Sequence, residues 1–166
     1  MINFQCSNIE NLKLVIGHST GIINYMQISQ HYVGYPKKTL IVISNNELAK
    51  IYSAFEREVE ELEMLEVKTE PPQSRATGTP NAAPPDIDQM KKHSRLELYA
   101  SLSDRLHHLL KHDYEEVVLC VPEASKNEII EALHSDVRKK IKEVVPKNLA
   151  SLPLDQIIRI LQETKA

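Results

Sequence analysis

The sequence predicts an α/β domain with helices packed on a mixed β-sheet. Three observations predict it. The run Thr39-Leu40-Ile41-Val42-Ile43 is continuously apolar after its first residue, as a strand buried on both faces requires. Glu116–Val121 holds a second run of the same kind. Between and after them strand-like segments come first, and helix and strand then alternate, the order expected of a sheet covered by helices.

Taking the elements in order, Leu12–Ile16 and Ile22–Ile28 flank Gly17-His18-Ser19-Thr20-Gly21, which supplies turn chemistry for a β-hairpin. Gly34-Tyr35-Pro36-Lys37-Lys38 is a break before the Thr39 strand. The next segment is ambiguous. Leu48, Tyr52, Phe55, Val59 and Leu62 recur at 4-3-4-3 spacing, the stripe of an amphipathic helix, so periodicity alone favours a helix. Yet Ile51, Ser53 and Phe55 alternate with Tyr52 and Ala54, and Met64, Leu65 and Val67 would equally line strands.

Residues 69–85 hold five of the nine prolines in the chain. Proline removes backbone donors, and the Ser, Thr, Asn, Gly and Ala around it offer little apolar area against the entropy of ordering. The segment is expected to be an exposed loop. Asp86 with Gln89 then has the spacing of a capping box, and Leu96, Tyr99, Leu102, Leu106, Leu109 and Leu110 form the apolar stripe of a helix running to about Lys111. Pro122 ends the second buried strand. Ser125 with Glu128 predicts a capping box for a helix carrying Ile129, Ile130 and Leu133, and Ser135–Lys142 a further short helix. Pro146 breaks the chain, and Pro153 opens a last helix with Leu154, Ile157, Ile158 and Leu161 inward.

With 166 residues, 42% of them hydrophobic, the chain suffices for one globular core. A net charge of −3 gives no global attraction to nucleic acid or an anionic membrane, so any polyanion contact must be local. No run approaches the roughly 18 apolar residues of a membrane span, and Met1–Ile16 lacks a signal-peptide pattern, so the cytoplasm is the expected compartment. Cys6 and Cys120 are far apart, and Cys120, inside Val117–Val121, reads as a buried free thiol.

Candidate chemistry is sparse. His108 and His112 stand at i, i+4 and could bind zinc, with a metal-dependent hydrolase as the corresponding function. They lie opposite the leucine stripe without a His-Glu-x-x-His arrangement, which favours a solvated helix face and no metal. His93 and His134 have no nameable partners. A two-metal nuclease needs carboxylates at strand ends, whereas the Thr39 strand ends in Ser44-Asn45-Asn46-Glu47, mostly neutral. No Gly-x-Ser-x-Gly elbow or phosphate-cradling glycine motif exists, and no cofactor is expected. Positive charge gathers at the loop and its exit, in Lys68, Arg75, Lys91, Lys92 and Arg95, the residue types that contact an RNA backbone. A second group, Arg138, Lys139, Lys140, Lys142 and Lys147, more simply belongs to a solvated surface.

On these residues the span from about Lys38 to Leu161 resembles a bacterial family named for a protein required for attachment to host cells, itself similar to the middle domain of archaeal and eukaryotic class-one peptide-chain release factors. The match rests on Thr39–Ile43 followed by Glu47-Leu-Ala-Lys-Ile-Tyr52, on Leu98-Tyr99 heading the long helix, and on Glu116-Val-Val-Leu-Cys-Val-Pro122. Ile129–Leu133, Val137–Val145 and Lys147-Asn-Leu-Ala-Ser-Leu-Pro-Leu154 continue it in order. The resemblance implies residues 38–166 as the domain, residues 1–37 as an N-terminal extension, a β-meander with two strands in Glu47–Val67, and the fold shared with some ribosomal proteins and RNase H. It implies that the 69–85 loop stands where release factors carry Gly-Gly-Gln; here only Gln73 and Gly78 occupy that tip, so hydrolysis of peptidyl-tRNA is not expected. Ser44-Asn45 replaces an Asp-Gly-like turn. Two functions follow as expectations: a non-catalytic factor associated with the ribosome or RNA, or a protein-interaction module in host association that uses Pro71 to Pro85 as an extended recognition segment.

Overall fold

The computed structural model describes residues 24–67 and 86–165. Its elements are β1 (Tyr25–Gln27), β2 (Tyr35–Ser44), β3 (Leu48–Glu56), β4 (Glu58–Glu66), α1 (Ile87–His112), β5 (Glu116–Cys120), a 3-10 turn at Glu123–Ser125, α2 (Lys126–Ala132), α3 (Ser135–Lys139), β6 (Ile141–Val145) and α4 (Leu154–Lys165). One mixed sheet runs β1-β4-β3-β2-β5-β6. The pairs from β1 to β2 are antiparallel, and β2–β5 and β5–β6 are parallel. The α/β class and mixed sheet predicted from sequence are present.

The apolar runs of β2 and β5 become the two central strands because residues of both parities meet a core. Ile41, Ile43, Val118 and Cys120 pack with α4 through Ile157, Ile158 and Leu161. Leu40, Val42, Val117 and Leu119 face the other way, onto Leu98, Tyr99, Leu102 and Leu106 of α1 and Ile129 of α2. Each of the four residues Leu40 to Ile43 is fully buried. Cys120 is a buried free thiol, and burial pushes it up to about 12, so it is no nucleophile. Cys6 lies outside the described residues.

The helix favoured by the spacing of Leu48 to Leu62 is replaced by the β3–β4 hairpin, the two strands of the meander that the resemblance implies. The 4-3-4-3 spacing mixes two faces. Tyr52 and Val59 are buried toward α4, while Phe55 is 41% exposed on the opposite face. A two-residue turn at Glu56-Arg57 separates two period-2 patterns that together imitate a helical one. Ser135–Lys142 is a second correction: α3 stops at Lys139, and Ile141–Val145 is a parallel strand on β5. Lys140 is the C-cap residue of α3, and its side chain reaches away from that helix. Its Nζ donates to the Leu110 and Tyr114 carbonyls at 2.9 and 3.3 Å, capping the C-terminal end of α1.

Residues 24–37 build into the same sheet. β1 pairs with β4, and Ile28 and Tyr35 lie in the core. The partner arm of the expected N-terminal hairpin lies outside the described residues. Pro153 precedes α4 as expected, with Ile157, Ile158 and Leu161 buried.

Glu116, the first residue of β5, accepts from Lys142 Nζ at 3.0 Å and lies 3.3 Å from Lys37 Nζ. The Lys142 hydrogen bond, and then Lys37, outweigh partial burial and hold its carboxyl below the ordinary value of 4.5. A lowered folded pKa contributes stability that is present above 4.5 and is lost as pH falls through the folded value. Glu116→Gln is therefore expected to flatten the acid limb of the unfolding free energy against pH, by no more than about 1 kcal/mol because both lysines are half exposed. Parallel curves for the two proteins would remove this role.

Candidate functional site

The chain leaves β2 toward β3 and leaves β5 toward β6, on opposite sides, so the carboxyl ends of this central pair form a switch point of the kind where open α/β sheets bind ligands. Three segments meet there. In the β2–β3 turn Asn45 Oδ1 accepts from the Glu47 and Leu48 amides at 2.8 and 2.9 Å, an Asx turn that an amide oxygen supports without a carboxylate. Asn46 Oδ1 accepts from Tyr99 Oη of α1 at 3.1 Å and from Ser125 Oγ at 2.9 Å. The capping box expected at Ser125 therefore does not form: its hydroxyl makes no cap bond to α2 and is turned toward Asn46 instead.

Above this knot α1 overhangs the sheet. Asp86 caps it as expected, accepting from the Asp88 and Gln89 amides at 3.1 and 3.4 Å. Its first buried residue is Leu98. Residues 87–93 are all exposed and extend about 10 Å at the α-helical rise before Arg95 meets α2. Lys91 and Arg95 continue, at four-residue spacing, the stripe that becomes Tyr99, Leu102 and Leu106, so the face that is apolar over the sheet turns basic beyond it.

The predicted basic residues separate into three groups. Lys91 and Lys92 are exposed on the overhang and make no ion pair among the described residues; Lys92 borders a shallow groove of about 310 Å³ with Gln89, His93 and Leu96. Arg95 is turned inward. Its Nη2 bonds Glu128 at 3.1 Å, and its Nε is buried without a hydrogen-bond partner. Lys68, Arg75, Gln73 and Gly78 lie outside the described residues, as does the whole Pro71 to Pro85 segment. Of the second basic group, Lys140 caps α1, Lys142 holds Glu116, and Lys139 lies 3.9 Å from Asp136.

The His108 and His112 rings lie 5.0 Å apart on the exposed side of α1. His107 instead faces His134 at 4.7 Å, and His134 Nε2 lies 3.0 Å from Asp104 Oδ1. Among the described residues no group of three or more His, Cys, Asp or Glu is arranged to hold a metal ion. Sequence reasoning missed Asn46, Ser125 and Glu128 as one constellation. Their only signal was Ser125 and Glu128 at capping spacing, which pointed to a different bond.

A family model, bacterial archaeo-eukaryotic release factor family 12, matches residues 38–161. The chain belongs to this family. The match carries the release-factor side of the expected kinship and no attachment name. Among solved structures the chain is similar to the crystal structure of an archaeal translation termination factor, aRF1, at a TM-score of 0.47 and 15% identity, over 76% of this chain and 39% of that one. The chain thus spans less than half the length of that factor. No curated protein matches it. In this family-12 chain no described helix is long and apolar enough to cross a membrane.

Proposed function

We propose that the protein is a non-catalytic factor that associates with the ribosome or its RNA through the overhanging half of α1. Membership of a release-factor family supports the partner class, and the observation that carries the contact is the exposed pair Lys91 and Lys92 on a helix projecting beyond the sheet. Two lysines free of carboxylate partners among the described residues are available to phosphates, whereas Arg95 is committed to Glu128. The absence of Gly-Gly-Gln from the sequence argues against peptidyl-tRNA hydrolysis by the release-factor route. Arg95 serves to fix α1 against α2 so that the lysines are presented rigidly.

The test is co-sedimentation of the purified protein with ribosomes at about 50 mM and about 200 mM salt. Phosphate-driven binding is strong at the lower concentration and falls steeply between the two. Binding at neither concentration would end this reading.

A further inference from the structure

The opposite end of the sheet is acidic and apolar. A groove of about 550 Å³ opens there between the β1–β2 connection and the β3–β4 turn, lined by Val33, Pro36, Gln27, Glu56 and Glu58 among others. Val33 is 76% exposed at its edge. Through Glu58 the groove adjoins an uncovered part of the sheet, since the register places Gln27 and Phe55 opposite Glu58 and Tyr25 opposite Glu60. By strand alternation these residues share the face of Ile51, which α1 covers only farther along; here Phe55 and Tyr25 are 41% and 43% exposed.

Carboxylates outnumber cations at this end. Glu56, Glu58 and Glu60 are exposed and make no ion pair among the described residues. The one cation lining the groove, Arg57, is held in place by the fold, its Nη1 donating to the Ser29 and Tyr32 carbonyls at 2.8 and 3.1 Å, and it offsets only one of the three carboxylates. The register sets Tyr25 opposite Glu60 on β4, and burial followed by Glu58 and Glu60 raises its phenol above the ordinary value. Glu56 also holds a left-handed backbone, φ 52°, where the first central position of such a hairpin turn favours glycine. Gly34 is locked against it, since a Cβ there would lie 2.1 Å from the Glu56 carbonyl oxygen. A charged side chain is thus kept at the groove rim despite backbone strain, a pattern associated with functional positions.

We propose that this end of the sheet docks a lysine- or arginine-rich polypeptide segment, its apolar side chains on Val33, Pro36 and Phe55 and its cations on Glu56, Glu58 and Glu60. Exposed aromatic faces beside carboxylates suit ammonium and guanidinium groups through cation–π attraction. The same negative field repels nucleic acid and anionic lipid. The surface is separate from the lysines of α1, so the protein can hold a basic polypeptide at one end and RNA at the other.

The probe is a labelled eight-residue peptide alternating lysine and leucine, titrated with the full chain by fluorescence anisotropy. The Glu58→Gln/Glu60→Gln pair is expected to weaken binding roughly tenfold through loss of two charge contacts, with an unchanged Tm. Phe55→Ser is expected to weaken it as well. Glu56→Gly is expected to move two readouts in opposite directions, raising Tm while weakening binding. Lys91→Ala/Lys92→Ala is expected to leave peptide binding intact, which separates this surface from the ribosome reading. No binding by the unaltered chain, equal binding by the Glu58→Gln/Glu60→Gln variant, equal binding of a glutamate–leucine peptide, or displacement by single-stranded RNA would overturn the proposal.

Discussion

Tyr99→Ala is expected to lower the unfolding free energy by about 3–5 kcal/mol, whereas Tyr99→Phe should cost only about 1 kcal/mol. Tyr99 is fully buried on the face of α1 that packs on Leu40, Val42 and Leu119, and its hydroxyl reaches out of that core to Asn46. Alanine removes the ring and leaves a cavity in the layer between helix and sheet. Phenylalanine keeps the ring and removes one hydrogen bond, while Ser125 still donates to Asn46. Urea unfolding of the three proteins checks the ratio. If Tyr99→Phe cost as much as Tyr99→Ala, the hydrogen bond to the turn, and not packing, would hold the overhanging helix; a loss below about 1 kcal/mol for Tyr99→Ala would contradict its place in the core.

Where the sequence spoke clearly, one physical demand acted alone. β2 and β5 are legible because strands covered on both faces must be apolar at every position, and nothing else in the chain has that pattern. The start of α1 is legible because Asp86 satisfies amides within its own turn, a bond between near neighbours. The β3–β4 hairpin was not legible from periodicity, since Tyr52 and Val59 share a face only once a turn at Glu56-Arg57 reverses the chain. β6 was hidden for a similar reason. Arg138, Lys139, Lys140 and Lys142 look like the wet face of a helix until Lys140 is seen bonded to the end of α1 and Lys142 to Glu116 across the parallel pair. At the candidate site the basic residues could be found, because charge beside a loop is a composition signal. Their division into exposed Lys91 and Lys92 and inward Arg95 depends on Glu128, 33 residues away, and no local rule supplies it. Asn46 joins partners 53 and 79 residues distant, contacts that only the folded chain brings together and that no local pattern encodes.

Reversing the charge of both lysines, Lys91→Glu with Lys92→Glu, is expected to weaken ribosome or ribosomal-RNA binding by on the order of 100-fold at low salt, and to reduce the slope of log K against log salt by about 1.4–1.8. The slope reports phosphate contacts directly, because each neutralised phosphate releases about 0.7–0.9 of a counterion depending on strandedness. Both lysines lie before the first buried residue of α1, so the substitutions touch no core contact and should leave the unfolding free energy within about 0.5 kcal/mol. Arg95→Ala provides the contrast. Removing it strips Glu128 of its partner and loosens the seat of α1 on α2, so it should lower stability by about 1 kcal/mol while leaving the salt slope unchanged, since its guanidinium faces a carboxylate. A reduced slope for Arg95→Ala with none for the lysine pair would exchange their roles. An unchanged slope in both variants would show that any RNA contact is made elsewhere on the chain.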